Sequence, residues 1–290
     1  MLEELIDLGH VGINVKYAIE HKEVVLFLHF SGGNLNMWDG IIPQFEQEYS
    51  IIAPDCRGHG KSDQPETGYH IDDMANDMYI LLQHLNVERC HVVGSSMGAE
   101  VGLSLAASHP ELVQSLICEG ALYNEFGEYG LFQGSEEEIE QKKEALRVQL
   151  AERREREFPT KEAYEEEEQM EFEAHGLWNE YFSAFIKNNL QQLPNGHFAC
   201  CFLNRVRTEY IQKYWDVKFE HYYNKVKCPV LFLPSEEEWA DEKIRGSLHT
   251  FSGLLDTYEI ERIENSLHAY VWMQLPAAAG DAAKRFISKH

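Results

Sequence analysis

Cys90-His91-Val92-Val93-Gly94-Ser95-Ser96-Met97-Gly98-Ala99-Glu100 is the stretch on which the reading of this chain turns. A short β-branched run leads into it and a small-residue helical pattern, Ala99 to Ala107, leads out. Ser96 therefore stands on a turn between a buried strand and a helix. Gly94 and Gly98 lie two residues to either side, where so tight a turn leaves no room for a Cβ. The bend strains the serine backbone and stands its Oγ clear of the sheet, with unpaired N–H groups of the following helix available to an oxyanion. With 20 glycines among 290 residues, chance supplies roughly 0.07 copies of Gly-x-Ser-x-Gly, so the pattern is read as a nucleophile site rather than a helix cap. Ser96, unlike Ser95, is bracketed symmetrically.

Composition narrows the partners. A chain that is 44% hydrophobic and 12% aromatic can bury a sizeable core. Forty-nine acidic against 25 basic residues give a formal charge of −24, which argues against nucleic acid or an anionic membrane surface and leaves a small-molecule substrate as the expected partner. The start, Met1 to Asp7, lacks the basic head and apolar run of a secretory signal, so a soluble cytoplasmic protein is expected. Six cysteines without Cys-x-x-Cys spacing fit buried thiols, and neither a metal nor a cofactor is expected. Nothing in the pattern fixes the oligomeric state.

Outward from the turn, strands alternate with helices. Gly12 to Ile19 alternates as a strand, Val24 to Leu28 is a fully buried run, and Ile51 to Pro54, Leu116 to Cys118, Cys228 to Leu233 and Tyr258 to Ile263 add further strands. Helices are expected over Met37 to Tyr49 and Ile71 to Leu85. Such alternation means an α/β fold with a largely parallel sheet, whose binding edge is the carboxyl ends of its strands. The loop His29-Phe30-Ser31-Gly32-Gly33 follows one buried strand, where a second oxyanion donor could lie. Asp55-Cys56-Arg57-Gly58-His59-Gly60-Lys61-Ser62 reads as a structural turn with Asp55 and Arg57 paired inside it.

At about residue 122 the composition becomes acidic and helical. One helix runs from Glu136 towards Pro159 and a second from near Lys161 to a break at Pro194-Asn195-Gly196, striped by Trp178, Tyr181, Phe182, Phe185, Ile186 and Leu190; a further helical stretch reaches about Tyr223. The aromatic stripe is expected to cover the carboxyl edge of the sheet and form an apolar pocket suited to neutral acyl groups, with Phe30, Trp178 and Phe182 meeting the substrate. Late in the chain, Glu236-Glu237-Glu238 and His268 each follow a strand on the same edge as Ser96. That is the order of nucleophile, acid and base in which an imidazole takes the serine proton while a carboxylate fixes its tautomer.

On these residues the chain resembles the α/β-hydrolase fold superfamily, in particular a capped serine hydrolase of esterase or lactonase type. The likeness is carried by His29 to Gly33, Asp55 to Ser62, Gly94 to Gly98, Cys228 to Leu233 and His268. It implies a mostly parallel central sheet flanked by helices, with residues 1–121 and 225–290 as the core and 122–224 as a helical cap inserted after the sixth strand. It further implies Ser96 as nucleophile, His268 as base, and the N–H groups of Met97 and Ser31 as the oxyanion hole. Phe30 stands where the family usually has glycine. The acid aligns with Ser235 or Glu238 and is expected at Glu238, with Glu237 and Glu119 as the alternatives. Hydrolysis of a small carboxylic ester or lactone follows from the resemblance. The same triad serves C–C bond hydrolases and thioesterases, and some members of the fold only bind ligand.

Overall fold

The computed structural model describes residues 1–120 and 122–290; Ala121, where the first core segment was expected to end, lies outside the described residues. Eight strands form one sheet: β1 (Leu2–Asp7), β2 (Gly12–Ala18), β3 (Val24–Leu28), β4 (Ser50–Pro54), β5 (Cys90–Ser95), β6 (Val113–Glu119), β7 (Val230–Phe232) and β8 (Tyr258–Ile260). Their spatial order is β1-β2-β4-β3-β5-β6-β7-β8. From β4 to β8 every pairing is parallel, and only β2 runs against its neighbours. Hence β3, Val-Val-Leu-Phe-Leu, is apolar throughout: covered on both faces, it has no side left for polar residues. The edge strand β1 buries only Ile6, consistent with its acidic sequence.

Each face of the sheet carries its own apolar layer. On one, α1 (Ile71–His84) and α2 (Met97–Ser108) bury Met74, Met78, Leu81, Leu82, Val101 and Leu105 against the strands. On the other, Trp38, Phe27, Phe45 and Trp272 interlock, and the last helix, which spans Pro276–Ile287, adds Ala279, Ala283 and Phe286. Each such fully buried large side chain stabilises the fold by about 1.5–3 kcal/mol relative to exposure. Among the described residues no helix is long and apolar enough to cross a membrane.

Between β6 and β7 the chain forms four principal helices: α3 (Glu136–Glu152), α4 (Lys161–Ala174), α5 (Glu180–Lys187) and α6 (Asn204–Tyr214). Two short two-stranded ladders, Asn124–Phe126 with Gly130–Phe132 and Leu190–Gln192 with Phe198–Cys200, stand among them. The long helix expected from Lys161 to the break at Pro194 is two helices, and it ends earlier, at Lys187. Gly176, at φ +69, turns the chain, and Asn179 starts α5 by accepting the N–H groups of Tyr181 and Phe182 at 2.9 and 3.2 Å. The helix expected over Met37 to Tyr49 is likewise broken, into a 3-10 turn at Leu35–Trp38 and a single turn at Ile42–Phe45 with Pro43 in its first turn.

The turn after β4 also differs from expectation, and the difference positions the site. Arg57 pairs with Asp77 of α1 and not with Asp55, its Nε donating to Oδ2 at 2.6 Å. Asp55 instead accepts the N–H groups of Leu35 at 2.7 Å and Lys61 at 3.0 Å, clamping the segment after β3 to the turn after β4. A carboxylate that collects several N–H donors cannot be spared for a nearby guanidinium, whereas Asp77 on a helix face offers both oxygens.

Candidate active site

Ser96 lies at φ +50, ψ −116, an unfavourable conformation for any residue with a side chain. Its glycine bracket is required. A Cβ on Gly98 would lie 2.1 Å from the Leu28 carbonyl oxygen, and one on Gly94 would lie 2.5 Å from the Ala99 nitrogen. The strain is held by backbone on both sides: the Ser96 N–H donates to the Glu119 carbonyl at 2.8 Å, and Ser96 O accepts Ala99 N–H at 2.8 Å as α2 begins.

Above this turn the loop after β8 places His268 with Nε2 3.1 Å from the Ser96 Oγ. The other face of the ring meets two acids. Nδ1 lies 3.2 Å from Glu119 Oε1 and 3.3 Å from Glu238 Oε1. Glu119 ends β6, paired in register with Ser95, and its second oxygen accepts the Ser95 hydroxyl at 2.6 Å. Glu238 closes a capping box after β7, its second oxygen accepting Ser235 N–H at 3.1 Å. Both carboxyls are buried. Thus two of the acids expected as alternatives converge on one imidazole nitrogen. Glu237 does not: it reaches only the backbone N–H of His268, at 3.4 Å.

Burial opposes charge on His268, but the charge and hydrogen bond of Glu119, then those of Glu238, outweigh it and hold the imidazole well above its ordinary pKa. Burial raises the Glu119 carboxyl, against the pull of His268 and Ser95. Among the described residues Glu119, Glu238 and His268 are also the group whose ligand atoms, within 4.8 Å of one another, could hold a cation. One oxygen of each carboxylate is already taken by Ser95 or Ser235, and His268 Nε2 by Ser96, so the set serves the imidazole as it stands.

The oxyanion loop is fixed by His29. Its Nε2 accepts Cys56 N–H at 2.9 Å, which leaves the proton on Nδ1 to donate to the Phe30 carbonyl at 2.8 Å. Burial lowers the pKa of this ring, against the pull of Asp55 and the Phe30 carbonyl. Gly33 N–H closes the turn on the same carbonyl at 2.8 Å. Met97 is the first residue of α2, and among the described residues neither its N–H nor that of Ser31 meets an acceptor. Phe30, in place of the family's glycine, turns its ring onto Phe185 and Tyr270, both at 5.7 Å, and so ties the loop to α5.

Two cavities flank these groups. A small one of about 40 Å³ holds Ser96, His268 and Glu238 together with Glu100, Tyr123 and Tyr214. Glu100, one turn into α2, accepts the Tyr210 hydroxyl from α6 at 2.8 Å. Burial pushes its carboxyl up to about 7, opposed by that hydrogen bond and by His268. A cavity of about 280 Å³ lies on the other side of Phe30, with Ser31, Phe172, Phe185 and Tyr270 in its walls. It is not the apolar pocket expected, because Arg154, Glu155, Arg156, Glu168 and Arg207 line it too. Phe182 and Trp178 are not among its walls. Phe182 is fully buried against Phe172 and Tyr270, and Trp178 packs on the same cluster, so they brace the wall and do not form it. A larger hollow of about 610 Å³, with Tyr129 and Thr250 in its walls, includes none of the triad residues. Glu100 and Arg207 are functional candidates that the fold reveals. Glu100 could have been noticed as the one acid in the first three turns of a small-residue helix.

A profile of the alpha/beta hydrolase fold matches residues 23–241. Among curated relatives, 2-(acetamidomethylene)succinate hydrolase of Mesorhizobium japonicum is 34% identical over 112 residues, 39% of this chain and 40% of that one. The 3-oxoadipate enol-lactonase 2 of Acinetobacter baylyi is 36% identical over 96 residues, 33% of this chain and 36% of that one. The matches to these two relatives thus span no more than two-fifths of either relative's length. The crystal structure of E-2-(acetamidomethylene)succinate hydrolase superposes with a TM-score of 0.77 at 22% identity, covering 99% of each chain.

Proposed function

The chain belongs to the α/β-hydrolase fold family, and on that premise we propose that it is a serine hydrolase of small carboxylic esters or lactones acting through an acyl-enzyme. The observation that carries this reading is the 3.1 Å contact between Ser96 Oγ and His268 Nε2 at a strained strand-to-helix turn. Ser96 Oγ attacks the carbonyl carbon while Nε2 takes its proton. The N–H groups of Met97 and Ser31 hold the resulting oxyanion. Collapse breaks the ester C–O bond, and His268 returns the proton to the leaving alkoxide. Water, deprotonated by the same imidazole, then cleaves the acyl-serine and frees the acid. Glu119 and Glu238 act here as one acidic unit at Nδ1, in place of the single glutamate expected. The relatives named for a succinate derivative and for an enol-lactone support an acyl bond as the target.

Ser96→Ala tests the reading. Fluorophosphonate labelling and p-nitrophenyl ester turnover should vanish while the melting temperature stays near that of the parent, since the serine is strained rather than packed. Labelling that persists in the alanine variant would place the nucleophile elsewhere.

A further inference from the structure

Among the described residues, two polar atoms buried without a partner belong to residues that line the 280 Å³ cavity: Nε of Arg207 and Oδ1 of Asn189. A buried donor on a charged group, left unpaired, costs more than a neutral one, so an arginine so placed is explained by something that visits it. Arg207 rises from the first turn of α6 with its guanidinium carbon 4.9 Å over the ring of Phe202, which stacks in turn on His59 at 4.4 Å. Stacking occupies the face of a guanidinium and leaves its N–H edge free for in-plane partners.

The other charges of the cavity are engaged. Glu155 accepts the Asn204 N–H at 2.6 Å, Glu168 pairs with Arg156 at 3.1 Å, and Arg154 is bonded to the carbonyls of Ala151 and Arg153. Among the described residues no carboxylate lies within ion-pair distance of Arg207. Burial, then the neighbouring Arg153, holds its pKa below the ordinary arginine value, against the pull of Cys200 and Glu155. Its positive charge is thus incompletely compensated.

The cavity is linked to the serine site through the oxyanion loop and two elements it shares with it. Ser31, whose N–H faces no acceptor, is in its wall, and Tyr270 follows His268 by two residues. Three residues after Arg207 on the same helix, Tyr210 bonds Glu100 in the cavity of Ser96.

We propose that this cavity is a carboxylate subsite, in which Arg207 binds the free carboxylate of a half-ester or a carboxy-substituted lactone whose scissile carbonyl lies at Ser96. The subsite rests on the hydrolase reading for its substrate, but its binding can be measured without turnover. Two readouts keep the two claims apart. The first is the ratio of kcat/KM for p-nitrophenyl hemiglutarate to that for p-nitrophenyl butyrate; it should fall about 10- to 100-fold in Arg207→Gln, the loss of a charge-assisted hydrogen bond. The second is calorimetric binding of monomethyl glutarate to Ser96→Ala, which should weaken by a similar factor when Arg207→Gln is added. Weakened binding with no ester turned over by the parent protein would keep the subsite and discard the hydrolase. Turnover of both esters with a ratio unchanged within about twofold would overturn the subsite and keep the hydrolase. Should Arg207→Gln fail to fold, Arg207→Lys retains the charge without the planar fork, and its ratio should still fall several-fold; an unchanged ratio there overturns the subsite as well.

Discussion

Replacing Glu100 by glutamine removes a proton-binding group from beside the nucleophile while keeping a group that accepts the Tyr210 hydroxyl. The native carboxyl titrates at about 7, against 4.5 for an exposed glutamate. Native protein therefore holds this proton over a range in which the unfolded chain has released it. Stability from this source is complete below pH 4.5 and is lost as the pH rises through 7. At 1.36 kcal/mol per unit the whole loss is about 3 kcal/mol, of which about 2.5 falls between pH 5 and pH 8. The amide of the variant does not titrate. Urea unfolding of parent and Glu100→Gln at pH 5, 6, 7 and 8 should then show the variant gaining on the parent by about 2.5 kcal/mol across the series, or about 5 °C in melting temperature for a chain of this size. A stability difference that stays flat with pH would mean that the carboxyl is solvated or paired, and the argument for a high pKa would fail.

Two further substitutions probe the turn and the acids. Because Glu119 and Glu238 both face Nδ1 of His268, Glu119→Gln and Glu238→Gln should each leave one carboxylate in place and cost less in kcat than the pair together; the double variant should approach the loss of about 10⁴ seen when a protease triad acid becomes an amide. A single variant as slow as the double would identify the sole acid. Gly98→Ala would drive a Cβ to 2.1 Å from the Leu28 carbonyl oxygen, so urea titration should show a loss of at least about 3 kcal/mol or no folded protein at all, and a tolerated alanine would contradict the turn geometry.

What could be read from the sequence and what could not divide along a physical line. The turn at Ser96 was legible because its determinants are local: two glycines, a β-branched entry and a small-residue exit leave few backbone solutions. The sheet edge that gathers Ser96 and His268 followed from strand alternation. Partners separated by long loops did not follow, since no local pattern selects among them. Arg57 could meet Asp55 or Asp77, and only the packing of α1 decides for Asp77. Periodicity shows that Phe182 is covered, but cannot tell whether a ligand or Tyr270 covers it. A lone arginine such as Arg207 carries no periodic signal at all. Its meaning lies in the partner it lacks.

Glu119 and Glu238 were each visible as candidates, yet their joint consequence, with that of Glu100, depends on counting protons. Glu119 and Glu238 meet the Nδ1 of one imidazole, and Glu100 is a third buried carboxyl in the same cavity. If all three were ionised, their summed field would hold His268 as imidazolium, and an imidazolium cannot take the proton of Ser96. A base that works near neutrality therefore needs some of that charge kept neutral by retained protons. Burial supplies the means: it raises Glu119 and brings Glu100 to about 7. Even so, the charge and hydrogen bonds of Glu119 and Glu238 hold His268 above its ordinary pKa, so desolvation of the acids limits the rise of the imidazole's pKa without cancelling it.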